Sequence, residues 1–247
     1  MRWQLSHLWL ACKIQAMRVC SFNAFWERRI CGNDYLPVFA MREVTKKSEL
    51  IVGVTGHRLH RLANTDVVLL AHRISDLLNA IEHSAKFVGI SQFRLISNFA
   101  DGADRMAGDG ALRLGWALDA LLPFPLDDFA RDFESETERI NFAAQYARAK
   151  GRSHVHPARS KDDAGIAGYE AAGRAILDRC DMLLGIWDKG PSRGRGGAAQ
   201  IVGEAIDRRI PVALIDPRDN GPTEAVTLAE SETGAIVQRA VASLTTQ

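Results

Sequence analysis

The sequence predicts a three-layer α/β fold, a mostly parallel sheet flanked by helices. From Glu49 onward, short apolar runs alternate with segments of helical periodicity. Two glycine-rich turns, Gly53-Val54-Thr55-Gly56-His57-Arg58 and Gly194-Arg195-Gly196-Gly197, each follow a strand-like run and precede a helical pattern. A chain of 247 residues with 47% hydrophobic content can bury one sizeable core.

Leu50–Val54 is the first β-branched run, and Val67, Leu70, Ile74, Leu77, Leu78 and Ile81 fall at helical spacing within Asp66–Ile81. Phe93–Ser97 reads as a second strand, Ala103–Leu114 as a helix rich in small residues, and Ala117–Leu122 as a third strand stopped by Pro123 and Pro125. A long polar helix is expected over Glu134–Lys150, a short strand near His154–His156, and a helix over Tyr169–Arg179. Met182–Trp187 resumes the strand pattern, Ala198–Arg208 is helical, Pro211–Ile215 is a strand, and Thr223–Leu244 reads as a terminal helix. Such alternation is that of a Rossmann-like sheet, in which ligands bind beyond the carboxyl ends of the strands.

Charge divides the chain. Residues 1–47 hold eight Lys/Arg against three Asp/Glu, whereas residues 48–247 hold 23 against 27. Cys12, Cys20 and Cys31 and three of the five tryptophans lie in the first segment, whose apolar residues follow no sustained period. That segment is read as a poorly ordered extension, or as sequence upstream of a start at Met41, ahead of a domain spanning 48–247. The cysteines form no C-x-x-C pair, which points to a reducing, cytoplasmic setting without a zinc site or disulfide framework. No run approaches the roughly 18 apolar residues of a membrane helix. A net charge of +1 argues against a general polyanion surface, so nucleic acid is not expected as a partner.

The two glycine turns carry the chemistry. At a strand-to-helix junction the first helical turn has unpaired N–H groups and the positive end of the macrodipole, and glycine lets an anion approach the backbone. Thr55, Gly56, His57 and Arg58 follow the first strand. Asp101, Gly102, Asp104 and Arg105 follow the second, and Asp188 with Gly194, Gly196 and Gly197 follows the fifth. All are expected on one rim. Arg58 can grip phosphate bidentately or form a rim salt bridge. His57 can donate to phosphate or ribose, or bond a neighbouring loop. Asp101 and Asp104 can accept from ribose hydroxyls or cap the Ala103 helix. Arg105 can meet an anion or pair with Asp101 or Asp109, and Asp188 can take a ligand hydroxyl or cap a loop. Tyr169 and Trp187 can stack a base or belong to the core. No Walker A sequence, G-x-S-x-G elbow or G-x-G-x-x-G fingerprint follows the first strand, and His154 and His156 have no third partner at a metal-ligand spacing.

The order Gly-Val-Thr-Gly-His-Arg (53–58), Ala-Asp-Gly-Ala-Asp-Arg (100–105), Leu-Pro-Phe-Pro (122–125), Cys-Asp through Trp-Asp (180–188) and Gly-x-Gly-Gly (194–197) resembles the SLOG superfamily over about residues 49–216. That group of Rossmann-like proteins includes the LOG phosphoribohydrolases, formerly called lysine decarboxylase-like, and the DprA-type DNA-processing proteins. The resemblance implies a nucleotide or ADP-ribose-like ligand, no separate cofactor, and a homodimer. A LOG-like reading implies hydrolysis of the N-glycosidic bond of nucleoside 5′-monophosphates, and a DprA-like reading implies single-stranded DNA. The enzyme pattern Gly-Gly-x-Gly-Thr-x-x-Glu, or Gly-Gly-Thr-x-Glu, is not met. Ala198, Ala199 and Gln200 follow Gly197, and Glu204 stands one helical turn beyond Gln200. Catalysis would then fall to Arg58 with Gln200 or Glu204. A glutamine orients water but cannot take its proton.

Overall fold

Leu50, Val52 and Val54, wholly buried, face one side of the first strand and Ile51 packs against the core on the other, and a strand covered on both faces is what a parallel sheet requires. The structure, a computed structural model, describes residues 47–133, 135–159, 165–191, 195–218, 221–226 and 231–245. Its strands are β1 (Glu49–Gly56), β2 (Gln92–Ser97), β3 (Ala117–Leu122), β4 (Gly151–His154), β5 (Met182–Ile186), β6 (Val212–Ile215) and β7 (Thr223–Val226). Its helices are α1 (Val67–Phe87), α2 (Ala103–Arg113), the single-turn α3 (Leu126–Phe129), α4 (Glu136–Arg148), α5 (Ile166–Leu177), α6 (Ala198–Asp207) and α7 (Glu232–Thr245). Short 3-10 turns cover Leu59–Leu62 and Ala130–Asp132.

The sheet runs β4-β3-β2-β1-β5-β6-β7, parallel throughout except that β7 is antiparallel to β6. This is the expected Rossmann-like α/β arrangement. One core lies beneath α1, α2, α4 and α7, joining Ile74, Leu77, Phe99, Ala107, Phe142 and Ile236. The other joins Ile176 and Leu177 of α5 to Ile201, Val202 and Ala205 of α6. The chain steps outward from β1 through β2 and β3 to β4, then returns by α5 to place β5 on the other side of β1. Strand order therefore reverses between β1 and β5, where an open α/β sheet leaves a crevice.

Local chemistry sets the helix ends. Asp66 caps α1 by accepting the Val68 and Leu69 amides, each at 3.0 Å. Ser135 and Glu138 form a capping box that starts α4, so the expected long polar helix runs over Glu136–Arg148; Glu134 lies outside the described residues. The expected strand at His154–His156 falls earlier, at Gly151–His154, because the Gly151 amide bonds Asp119 Oδ1 (2.9 Å) and Pro157 closes the run. The expected terminal helix over Thr223–Leu244 divides into β7 and α7. Here the Asp216 amide donates to Pro222 O (3.0 Å), and Arg73 donates to the carbonyls of Asp216, Arg218 and Gly221, turning the chain back onto the free edge of β6. Thr-Glu-Ala-Val then pairs where an edge would otherwise stay open. Among the described residues no helix is long and apolar enough to cross a membrane.

One glycine is demanded by the loop packing. Gly102, ahead of α2, has φ +89°, and a Cβ there would lie 2.6 Å from both His57 O and Leu59 N. Gly102→Ala is expected to destabilise the protein by about 3 kcal/mol or more, from left-handed strain plus a backbone clash, read as a lowered midpoint in urea.

Candidate functional site

The loops after β1, β2 and β5 meet as expected, and much of their polar chemistry is spent on each other. The His57 amide donates to Ile186 O and its carbonyl accepts from the Ala103 amide, both at 3.1 Å. Asp101 Oδ2 accepts the Leu59 amide at 3.1 Å, and Asp104, 3% exposed, accepts the amides of Gly56 and Ala100. Neither aspartate caps α2, whose N-cap is Gly102 without a side-chain acceptor. They staple loop to loop instead. Gly56 likewise admits the chain rather than an anion, since a Cβ there would meet Ala103 Cβ at 2.5 Å. Thr55 is buried within β1 opposite Gly185.

Burial, only partly offset by Arg58, pushes the Asp104 carboxyl up to about 7. His57 is also buried, and its Nε2 lies 3.0 Å from Asp188 Oδ1. The same oxygen accepts the Gly190 amide at 3.0 Å. Burial would raise the Asp188 carboxyl, but the Gly190 amide and His57 outweigh it and hold it below the usual carboxylate range.

Arg58 faces an anionic cluster that sequence reasoning did not assemble. Its Nη2 donates to Asp132 Oδ2 at 3.3 Å, Nη1 lies 3.7 Å from Asp101, and the guanidinium lies 5.1 Å from the Tyr169 ring centre. Arg159 and the Tyr169 hydroxyl also donate to the Asp132 carboxylate. Burial opposes the charge on Arg58, yet Asp132, Tyr169 and Asp101 raise its pKa overall. Burial and the bond to Asp132 push the Tyr169 phenol up to about 12. Asp132 and Arg159 carry no motif of their own; Asp132 stands in the Arg-Asp-Phe that follows Leu-Pro-Phe-Pro.

The second glycine turn is built differently. Gly196 has φ +77°, and a Cβ there would lie 2.7 Å from Glu170 N, so the turn rests directly on α5. Gln200 is clamped at both ends. Its Oε1 accepts the Gly196 amide (2.8 Å) and its Nε2 donates to Glu170 Oε1 (2.7 Å). Glu170, a buried carboxylate that sequence reasoning missed, also takes Arg195 Nε at 2.8 Å and Arg174 at 2.9 Å. The Gln200 amide, against the opposing effect of burial, together with Arg195 and Arg174 holds its carboxyl below the usual range. The only advance signal was its i,i+4 spacing from Arg174. Gly197 is the N-cap of α6, with the Gln200 and Ile201 amides bonded to its carbonyl at 3.0 and 3.2 Å. The Ala198 and Ala199 amides have no intrahelical acceptor. Gly194 lies outside the described residues. A crevice of about 700 Å³ opens here, lined by Trp187, Lys189, Gly190, Pro191, Arg195, Ala199 and Gln200.

Two expected residues point elsewhere. Arg105 donates to Glu138 O (3.1 Å) and lies over Phe133, lining a separate groove of about 430 Å³ between α2 and α4. Glu204 is held by Arg174 Nε (2.9 Å) and Arg208 Nη2 (2.9 Å) on the outer faces of α5 and α6, and does not line the crevice. A carboxylate committed to two arginines beside the helices is a poor base for water at the rim. Among the described residues no three His, Cys, Asp or Glu side chains gather to hold a metal ion.

No protein-family model matches the chain, and no curated protein does. Among solved structures it is similar to TM1055 at 14% identity, over 69% of this chain and 76% of that one, with a TM-score of 0.42. It is similar to DNA processing protein A (DprA) from Streptococcus pneumoniae at 15% identity and a TM-score of 0.45, over 80% of this chain but only 56% of that protein. The likeness to DNA processing protein A from Helicobacter pylori, whose structure describes a single-stranded DNA binding mode, is 17% identity over 80% of both chains with a TM-score of 0.43. The expectation that nucleic acid is not a partner finds no support in these likenesses.

The Asp104 staple generates a pH signature. Its folded pKa, about 7, lies above the unfolded value of 3.8, so its contribution is fully present below about pH 4 and is lost progressively as pH rises to about 7. Denaturant titrations across that window are expected to show Asp104→Asn lacking a downward slope, of up to about 1.4 kcal/mol per pH unit, that the parent carries. Parallel pH profiles of the two proteins would refute the buried acid.

Proposed function

We propose that this protein binds a nucleotide or nucleotide-derived ligand, of the mononucleotide or ADP-ribose type, in the crevice beyond the carboxyl end of β5, against the first turn of α6. The observation that carries this reading is the crevice itself, about 700 Å³ at the carboxyl end of β5, with the first turn of α6 opening into it. The amides of Ala198 and Ala199 and the positive end of the α6 dipole suit a phosphate. Trp187 donates its Nε1 to Gly190 O (2.9 Å), so its polar edge is satisfied and its ring offers an apolar wall for a base. Lys189 and Arg195 line the same space. Lys189 meets Glu224 at the surface, where an ion pair exchanges at little cost, and Arg195, itself largely exposed, reaches back to the buried Glu170.

The geometry favours binding over turnover. With Gln200 clamped between Gly196 and Glu170, and Glu204 paired to Arg174 and Arg208, N-glycosidic hydrolysis has no unengaged carboxylate at the α6 turn among the described residues. Chromatography of nucleoside monophosphates incubated with the protein is expected to show no free base. Release of base and ribose 5-phosphate would replace this reading with a hydrolase.

The direct test is thermal melting of the full chain against mononucleotides and ADP-ribose, with Ala199→Asp as the variant. An acid in the first turn of α6 complements the dipole, so the ligand-free midpoint is expected to hold or rise slightly. The same charge repels phosphate, and the ligand-induced rise seen in the parent is expected to disappear. Failure of the parent to shift with any nucleotide would overturn the proposal.

A further inference from the structure

Asp132 is a single acceptor on which three donors converge. Arg159 donates to its Oδ1, the Tyr169 hydroxyl to its Oδ2, and Arg58 Nη2 reaches Oδ2 at 3.3 Å. Both guanidinia lie over the Tyr169 ring, 5.1 Å and 5.7 Å from its centre, which fixes their direction. Two guanidinium forks and a phenol aimed at one pair of oxygens is the geometry that recognises an oxyanion.

The donors exceed what Asp132 accepts. Among the described residues Arg159 Nε is buried with no acceptor, and the ion-pair partner of Arg58 Nη1 is Asp101, at 3.7 Å. A carboxylate presents two oxygens to such a set, whereas a phosphoryl group presents three. The acceptor itself sits on a single 3-10 turn, Ala130–Asp132, between α3 and α4. Its carboxylate is 7% exposed, while the Arg58 and Arg159 side chains are 33% and 27% exposed and reach solvent. The cluster also abuts the second glycine turn, since a Cβ on Gly196 would lie 3.0 Å from the Tyr169 carbonyl carbon.

We propose that Arg58, Arg159 and the Tyr169 hydroxyl form a phosphoryl-binding subsite that the chain's own Asp132 carboxylate fills. Ligand phosphate and Asp132 compete for the same donors, so entry requires the Ala130–Asp132 turn to yield. The identity of the ligand as a nucleotide rests on the reading of the crevice given above; the oxyanion chemistry of the subsite does not.

The probe is inorganic phosphate, compared with chloride at equal ionic strength, on the full-length chain. Asp132→Ala leaves two guanidinia without their carboxylate, so its melting midpoint is expected to fall in chloride and recover in phosphate. Its half-saturation is expected about tenfold tighter than in the parent, because the internal competitor is gone. Asp132→Asn, which keeps the shape without the charge, is expected to respond between the two. Adding Arg159→Ala to Asp132→Ala is expected to abolish the phosphate response. Equal responses in the parent and in Asp132→Ala, a response indifferent to Arg159, or an Asp132→Ala chain that folds in neither salt would each overturn the proposal. In the Ala199→Asp background the phosphate response of Asp132→Ala is expected to persist. Persistence alongside a parent that binds no nucleotide would sink the crevice reading alone.

Discussion

The backbone of His57 holds the rim together. Its amide reaches Ile186 at the end of β5 and its carbonyl takes the amide of Ala103 at the start of α2, so one residue ties the first strand's loop to elements on both sides. Parallel strands need no such tie to form; here it sets the loop after β1 against the end of β5 and the start of α2. Gly102 must lack a side chain so that its loop can lie against His57 and Leu59, and Asp104 must be buried to receive the Gly56 and Ala100 amides. An acid kept in that position at the expense of its own ionisation is the local cost of closing the loops.

That closure divides the labour between the two glycine turns. The first faces inward. Gly53 admits Ile176 of α5 and Gly56 admits Ala103 of α2, while the side chain of His57 pairs with Asp188 and that of Arg58 enters the cluster around Asp132. The second rests on α5 through Gly196 and turns the α6 amides outward, with Gln200 bracing it against Glu170. Two turns of similar composition thus differ in chemistry because one is flanked by strands on both sides and the other leads from the crevice into a helix.

Charge follows the same division. Arg58, Arg159 and Arg195 are all positioned near the rim, and each meets a carboxylate, Asp132 or Glu170, supplied by the outer connections of the sheet. The near-neutral balance of the whole chain therefore says little about the site, where opposite charges are matched locally and a polyanion would meet paired guanidinia rather than a bare basic surface.

The alternation of apolar runs with helical periodicity determined the layered sheet, because burying both faces of β1 and β5 leaves few other arrangements for Leu50–Val54 and Met182–Ile186. His57-Arg58 and Gly196-Gly197 stand beyond the carboxyl ends of β1 and β5, where a turn after a parallel strand must fall. Local pattern could not show that Thr223–Val226 pairs with β6, because Thr-Glu-Ala-Val suits a helix until an open strand edge stands beside it. Nor could it bring Asp132, Arg159 and Glu170 to the rim, as Asp132 lies 74 residues from Arg58 and Glu170 lies 30 from Gln200, separations that no local spacing records. Which glycines face the chain and which face the crevice, and which carboxylate each arginine meets, were decided only when the sheet set strands distant in sequence side by side.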